Sequence, residues 1–412
     1  MKIYKTLKKC RICKSSLKLL HKYRQTPIGE DFIKKNFKKK QPLLDLNLCI
    51  CKKCKLVQIS EIVDPNKIYS DYLYETKTSI TLDQHFKNYS IRVAKNLNLT
   101  KNDLVIDIGS NDGNLLNHFR KISKCKIIGI EPAKHIAKIA NRKGATTINS
   151  FFNKKVVKKI NKNFGKARLI TANNVFANIE NINSWIILVK ELLSKDGFFI
   201  IESFYLADLL KNKVFDFIYH EHHSAFSLKP IIYLCKKHHL KLVHVDRTNS
   251  KGGSLRYYLC RKNYNFKKSN SLKLLLNREK KEKIYNKFTY SKYFKYIDLQ
   301  KIKLLSFLKK NNNSKLFGFG ASITCITLIY QFFLEKKIKL LFDDNKIKQG
   351  MLSPRDNIPV EKIISKNIKK NSILLILAWR YQKLILKKHL NKLKKFKFVI
   401  QVMPEFKKIN IK

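Results

Sequence analysis

Long apolar runs are missing from this sequence. None approaches the roughly 18 residues that a membrane span needs, and the longest, such as Ile373-Leu-Leu-Ile-Leu-Ala-Trp379, suit a buried strand. The opening residues, Met1-Lys-Ile-Tyr-Lys-Thr-Leu-Lys-Lys-Cys10, lack the apolar centre of a secretory signal. A cytoplasmic protein with no membrane partner is the expectation. Repeats of fixed period and long disordered tracts are also absent. Acidic residues are scarce, 29 against 87 Lys and Arg, which leaves a formal charge of +58. Such a charge can mark a nucleic-acid or membrane surface. Here the lysines are spread along the chain instead of gathered in one tail or stripe, and Lys, Asn and Ile are inflated throughout. The charge therefore reads as compositional bias. No nucleic-acid partner is expected, and a mild pull on anionic substrates remains.

What is present is length and alternation. A chain of 412 residues, 44% of them hydrophobic, accommodates two or three domains with real cores. Residues 1–75 carry a cysteine cluster among short strands and loops. Residues 76–265 alternate apolar strand-like runs (Leu104–Ile108, Lys126–Ile130, Leu169–Thr171, Gly197–Glu202) with helical stretches. Residues 266–312 are lysine-rich with helical spacing of Leu, Tyr and Phe, a helical connector. Residues 313–412 begin a second alternating block, with strands expected at Lys315–Phe319, Ile338–Phe342, Ser372–Ala378 and Phe396–Val402. Such alternation signals parallel sheets flanked by helices, an α/β fold.

Nine cysteines in a cytoplasmic chain are not expected to form disulfides. Cys125, Cys235, Cys260 and Cys325 are scattered and read as small core residues. Cys10-Arg-Ile-Cys13 and Cys51-Lys-Lys-Cys54 are two CxxC pairs, each able to turn both thiolates toward one ion. Four sulfurs satisfy tetrahedral Zn²⁺ and close its shell, which makes the expected site structural. Cys49 is a possible competitor for one position. Buried thiols or a redox pair are the weaker readings, since nothing nearby resembles a thioredoxin-like unit.

Leu104-Val-Ile-Asp-Ile108 is an apolar strand bearing one acid, Asp107. Gly109-Ser-Asn-Asp-Gly113 follows, then the helix-compatible Asn114-Leu-Leu-Asn-His-Phe119. A small cofactor lies against the carboxyl ends of such strands, and Gly109 and Gly113 present no side chain to block it. The GxxxG spacing differs from the GxGxxG of dinucleotide enzymes and fits S-adenosylmethionine (SAM), which has no pyrophosphate to seat. Asp107, Gly109, Asn111 and Gly113 are the candidate cofactor residues. The next strand ends in Glu131, placed to accept hydrogen bonds from ribose hydroxyls. Asn173-Asn174, after a later strand, either hold the aminoacyl part of the cofactor or the substrate, or cap a turn.

Phe215-Asp-Phe-Ile-Tyr-His-Glu-His-His223 is the most unusual polar run. A zinc-protease HExxH is not satisfied, because Ser224 takes the last position. Histidine titrates near neutrality and can take a proton from carbon when the carbanion is stabilised, so general acid/base chemistry is favoured over a polar surface turn.

At this point the residues resemble a known family, the three-domain SAM-dependent C-methyltransferases of deoxysugar biosynthesis, over nearly the whole chain. The resemblance is carried by Pro42-Leu43 with Cys51-Lys-Lys-Cys-Lys-Leu-Val-Gln58, by Tyr72-Leu-Tyr74 followed by His85, and by the cofactor loop with Gly129-Ile-Glu-Pro132. Asn173-Asn-Val175, Tyr219-His-Glu-His222, Gly252-Gly-Ser-Leu-Arg256, Gly318-Phe-Gly-Ala321, Lys348-Gln-Gly350 and Ile376-Leu-Ala-Trp379 extend it. It implies a Rossmann-like class I methyltransferase core, a small N-terminal zinc-binding domain and a C-terminal Rossmann-like α/β domain. It implies SAM as methyl donor, structural zinc, and a nucleotide-linked 4-keto-deoxysugar methylated at C3 through an enolate. By carry-over His222 is the base, Glu221 orients it or polarises the site, and Tyr219 and Tyr74 contact the sugar or enolate. Asn178 and Arg256 are the implied substrate residues. A monomer or a dimer fits equally well.

The sequence departs from the family at three places. Asn178 stands where a histidine is common, Lys251 precedes Gly252-Gly253 where histidine is usual, and Ser322-Ile-Thr-Cys325 lacks a frequent lysine. These bear on the sugar and the methylated position. Phe317-Gly-Phe-Gly-Ala321 with Asp343-Asp344 could mimic an NAD site, but the third glycine is missing. The block reads instead as a fold that helps enclose the nucleotide sugar. Two other functions fit less: an O- or N-methyltransferase of another small metabolite, and a basic zinc-containing nucleic-acid-binding protein.

Overall fold

The computed structural model describes residues 4–37, 41–65, 68, 80–364, 368 and 371–411. Its centre is a seven-stranded sheet. In spatial order the strands are Leu240–Thr248, Ser254–Arg261, Leu193–Phe204, Ala167–Asn173, Leu104–Ile108, Lys126–Glu131 and Thr147–Asn149. All neighbours are parallel except Ser254–Arg261, which runs antiparallel to both strands beside it. Leu104–Ile108 is buried at every residue, as a strand covered on both faces must be. Strand order reverses beside it: the chain moves outward to one side through Lys126–Glu131, then returns to the other side at Ala167–Asn173. That reversal opens a crevice at the carboxyl edge of the sheet. Helices Ile80–Leu97 and Asn114–Ser123 pack against one another over one face. Helices Lys154–Phe164 and Ile182–Leu192 pack together through the larger apolar cluster.

The N-terminal strands Leu17–Thr26, Leu44–Cys51 and Val57–Ile59 form an antiparallel sheet. Its fourth strand comes from far along the chain: Ser224–Ala225 pairs with Val57–Ile59. The C-terminal sheet has the order Val360–Glu361, Ile338–Phe342, Lys315–Phe319, Ser372–Ile376, Phe398–Gln401 and Lys407–Ile409. It is parallel except at its last strand. The lysine-rich stretch before it forms helices Asn270–Lys281 and Lys287–Lys310. A short pair, Met351–Leu352 with Ile33–Lys34, ties this part to the N-terminal part. One apolar cluster runs through all of these regions. No helix among the described residues is long and apolar enough to cross a membrane.

Candidate active site and metal centre

The two CxxC pairs come together. Cys10 and Cys54 sulfurs are 3.5 Å apart, Cys13 and Cys51 sulfurs 3.2 Å apart, and all four lie within 4.8 Å of one another. A tetrahedron of sulfurs at 2.3 Å from zinc has edges of about 3.8 Å, so the donor set fits the ion. The hydrogen bond between the Cys10 and Cys54 sulfurs draws the Cys10 thiol down, toward the thiolate that a metal needs. Cys49 is not part of the cluster. It pairs with Leu19 in the sheet, and burial raises its thiol to about 11.

A cavity of about 290 Å³ occupies the crevice at the reversal of strand order. Asp107, Gly109, Asn111, Glu131, Asn173, Asn174 and Asn178 all line it. Burial lifts the Asp107 carboxyl to about 7, against the pull of Thr171 Oγ1 at 2.6 Å and of Asn173. Glu131 is also raised by burial; one of its oxygens accepts the N–H of Asn111 at 3.0 Å and the other that of Ala133 at 2.9 Å. Each carboxylate oxygen keeps a second lone pair for a hydroxyl in the cavity. The strand carrying Asn173 runs to that residue, two beyond the expected end, so Asn173 is part of the ladder and pairs with Glu202. Asn174 turns left-handed, φ 57°, and donates its N–H to the Glu202 carbonyl.

The glycines serve the loop itself as well as the cavity, which Gly109 lines. Both Gly109 and Gly113 have φ of 74°, which an L side chain resists. A Cβ on Gly109 would strike Val175, and one on Gly113 would strike Ala145. The loop needs them for its own turn and packing. Gly113 caps the helix Asn114–Ser123 and is not among the residues lining the cavity. The apolar wall carried no motif: Leu82, Phe86, Phe151, Phe152 and Trp185 come from separate helices and loops. The one clue was position, since Phe151 and Phe152 follow the third strand at the same sheet edge.

The histidine run is buried and is no surface turn. Tyr219, His220, Glu221 and His223 are each less than 9% exposed. His222 Nδ1 lies 2.8 Å from the Phe217 carbonyl, and Nε2 lies 2.8 Å from the Tyr219 hydroxyl. A carbonyl only accepts, so Nδ1 carries the proton. In the neutral ring Nε2 is then the basic nitrogen, and Tyr219 donates to it. The imidazole stacks on Tyr219 at 4.0 Å and faces Phe204 at 4.8 Å, at the carboxyl end of Leu193–Phe204. The strand Ser224–Ala225, directly after His223, packs against the short helix Phe176–Asn178, whose last residue lines the cavity. The run and the cavity thus share the wall formed by the short helix Phe176–Asn178.

Arg256 lies between the strand Leu193–Phe204 and the helix Ile80–Leu97. It is 4% exposed, its Nε donates to Glu202, its Nη2 lies 3.2 Å from His85, and its guanidinium covers the Tyr89 ring at 3.9 Å. Its contacts go to neighbouring side chains, not to the cavity. Tyr74, with Tyr72, falls outside the described residues. In the C-terminal sheet, the acid that mimics an NAD ligand, Asp343, accepts the N–H of Ala321 at 2.6 Å. Lys348 binds the Ala321 carbonyl at 3.0 Å and Glu30 at 2.6 Å, and Gly29 lies against Ile323. The N-terminal loop therefore packs over the turn that a dinucleotide would use.

Comparison with known proteins agrees with this arrangement. Residues 10–69 match a family model described as a "putative zinc binding domain", residues 84–245 a methyltransferase domain, and residues 249–404 a C-methyltransferase C-terminal domain. The chain is 28% identical to the C-methyltransferase NovU of Streptomyces niveus over 344 residues, 83% of this chain and 82% of that protein. Solved structures align more distantly. A SAM-dependent methyltransferase from Clostridium acetobutylicum is 16% identical with a TM-score of 0.34, over 43% of this chain and 91% of that one. The magnesium protoporphyrin IX methyltransferase of Synechocystis, solved with bound S-adenosylhomocysteine, is 14% identical with a TM-score of 0.34, over 48% and 91%. Three consecutive domain matches, a four-thiol centre and a cleft at the carboxyl edge converge: the chain is a methyltransferase with S-adenosylmethionine as its cofactor, built of the three domains that those models describe and similar to the C-methyltransferase NovU, and Cys10, Cys13, Cys51 and Cys54 form a donor set that fits zinc.

Proposed function

We propose that the protein methylates C3 of a nucleotide-linked 4-keto-deoxysugar through an enolate. The observation that carries the reading is the Tyr219–His222 pair, with Nδ1 fixed by the Phe217 carbonyl and Nε2 left basic. A ketone at C4 acidifies the hydrogen on C3. In the proposed sequence the Tyr219 hydroxyl turns from Nε2 to the ketone oxygen, and Nε2 takes the C3 proton. The C–H electron pair moves into the enolate, whose oxygen Tyr219 stabilises. When bound, SAM would supply an electrophilic methyl group to the enolate carbon, the C–S electron pair leaving with the neutral thioether. Asn178, between the cleft and the histidine run, is the candidate for a hydrogen bond to the sugar. Glu221 orients His222 or polarises the site, and Tyr74 is the candidate for a contact to the sugar or enolate. Asp107, Glu131, Asn173 and Asn174 hold the cofactor. Four cysteines fill a zinc shell completely, so the metal centre offers the reaction no open position.

The division into 1–75, 76–265, 266–312 and 313–412 assigns methyl transfer to the second part and substrate enclosure to the last. The test is turnover with methyl-labelled SAM and a panel of nucleotide-linked 4-keto-deoxysugars, with the methyl located by NMR. A methyl on C3 is expected; a methyl on oxygen or nitrogen overturns the carbon reading. His222→Ala and His222→Asn should abolish transfer and leave SAM binding near normal, and retained turnover would sink the base assignment.

A further inference from the structure

The turn Phe215–Phe217 is held from three directions. Its first residue stacks on Phe332 at 5.4 Å, and its carbonyl accepts from the Tyr23 hydroxyl at 3.3 Å. Its middle residue, Asp216, is fully buried. Both Asp216 oxygens accept from Arg380 Nη1, at 2.7 and 2.9 Å, and Oδ2 also accepts from Trp379 Nε1 at 3.0 Å. Arg380 is itself anchored by Thr324 Oγ1 at 3.0 Å. Its last residue, Phe217, lies under the Arg380 guanidinium at 4.6 Å and gives its carbonyl to His222 Nδ1. The Phe217 ring also faces the His222 ring at 5.6 Å.

A buried ion pair by itself is weak grounds for function. What distinguishes this one is its address. Asp216 is one residue from the single carbonyl that sets the tautomer of His222. Arg380 and Trp379 come from the short helical turn Trp379–Tyr381 that follows the C-terminal strand Ser372–Ile376, more than 160 residues later in the chain. A shift of this turn moves the Phe217 carbonyl, and with it the direction in which Nε2 points.

We propose that Asp216 and Arg380 are positioning residues for proton abstraction. The C-terminal part clamps the turn through them, and the turn holds His222 as the Nδ1–H tautomer with Nε2 aimed at the substrate. This rests on the reading of His222 as the base. Neither residue touches the SAM cavity, so the clamp acts on the proton step and leaves cofactor affinity alone.

The experiment follows two readouts in the full-length zinc-loaded enzyme. One is the rate at which a nucleotide-linked 4-keto-deoxysugar in D₂O gains deuterium beside its ketone without SAM. The other is kcat for methyl transfer, with the Kd for SAM as the control. Arg380→Met and Asp216→Asn should lower exchange and kcat together by about 10- to 100-fold, the scale on which a base misplaced by about 1 Å loses rate, with the Kd for SAM unchanged. Arg380→Lys should recover part of the loss, because it restores charge without the planar fork. Thr324→Val removes only the hydroxyl that steadies Arg380 and should show a smaller loss of the same kind. If a larger substitution also weakens SAM binding, Arg380→Lys and Thr324→Val decide the matter. Normal exchange and kcat in those two, with SAM binding intact, overturn the proposal. His222→Asn separates the two ideas. Wild-type exchange in it refutes the base itself, whereas a dead His222→Asn beside fully active Asp216 and Arg380 variants refutes only the clamp.

Discussion

Asp107 is a carboxyl at the end of an otherwise apolar strand, fully enclosed, and raised to about 7 by that enclosure. A raised carboxyl favours folding while it is protonated. Its contribution is complete below the unfolded value of 3.8 and is lost as pH climbs through about 7. Holding it ionised above that point costs up to about 4 kcal/mol by the size of the shift. A cation bound beside it offsets that cost, and SAM is a cation. Affinity for SAM should therefore strengthen by up to about tenfold per pH unit between pH ~6 and ~7 and level off above. Trp185 lines the cavity and gives a fluorescence signal for the titration. Asp107→Asn should flatten the profile and make the cofactor-free protein more stable at about pH 8 than the wild type; an unchanged profile would remove Asp107 from the cofactor's surroundings. That Asp107, Glu131 and the asparagines would line one crevice was legible, because a strand with a glycine turn after it, and an acid or amide at the ends of the neighbouring strands, put them at one sheet edge. The reason given for the glycines was incomplete, because the side chains they avoid, Val175 and Ala145, come from distant strands and loops. Arg256 shows the same limit. Sequence shows an arginine after Gly-Gly-Ser-Leu, but not that Glu202 lies opposite it in the antiparallel ladder.

At the scale of elements, that ladder pair fastens the helix Ile80–Leu97 to the sheet. Glu202 is fully buried and accepts from His85 at 2.7 Å and from Arg256. Burial pushes its carboxyl up, yet His85 and Arg256 together hold it below the ordinary range. The pair therefore adds stability above the unfolded value of 4.5, lost as pH falls through the lower folded value. Glu202→Gln leaves the Arg256 guanidinium enclosed without its countercharge and should cost about 3–5 kcal/mol near neutrality. The helix carries Leu82 and Phe86 into the cofactor cavity, so its loosening should weaken SAM binding as well. Thermal unfolding and SAM affinity measured together test this, and a variant as stable as the wild type refutes the fastening role. The strands were read well because buried parallel strands are short continuous apolar runs, and the runs at Leu104, Lys126 and Lys315 have that form after their first residue or from it. Their ends moved by a few residues where hydrogen bonding outlasted the apolar run, as at Asn173, or stopped before it did, as at Ile376. The two-residue strand Ser224–Ala225 could not be seen at all. It has no pattern of its own and exists only because Val57–Ile59 offers an edge.

That small strand decides how the whole molecule is coupled. It directly follows His222 and His223, and it completes the sheet of the zinc-binding part. The His223 carbonyl accepts the Ile59 N–H at 3.1 Å, and His220 Nε2 lies 2.9 Å from the Asp45 carbonyl. Between the two cysteine knuckles and the histidine run there is thus one continuous backbone ladder, Cys49–Gln58–Ser224. Zinc holds the knuckles by binding energy that such sites convert directly into folding. Withdrawing it frees the four thiols, loosens the strands Leu44–Cys51 and Val57–Ile59, and removes the edge on which the histidine run is registered. The cofactor cavity, built on strands of the central sheet, keeps most of its walls. Chelation, or Cys51→Ser with Cys54→Ser, should therefore depress methyl transfer by at least about tenfold, the lower end of what disturbed metal support costs a site, while SAM affinity falls much less. Restoring zinc to the chelated wild type should restore turnover, and cadmium, another thiolate-seeking tetrahedral ion, should do so too. Equal loss of both properties would mean that zinc supports the molecule globally, and undiminished turnover in zinc-free protein would break the link between the knuckles and the reaction.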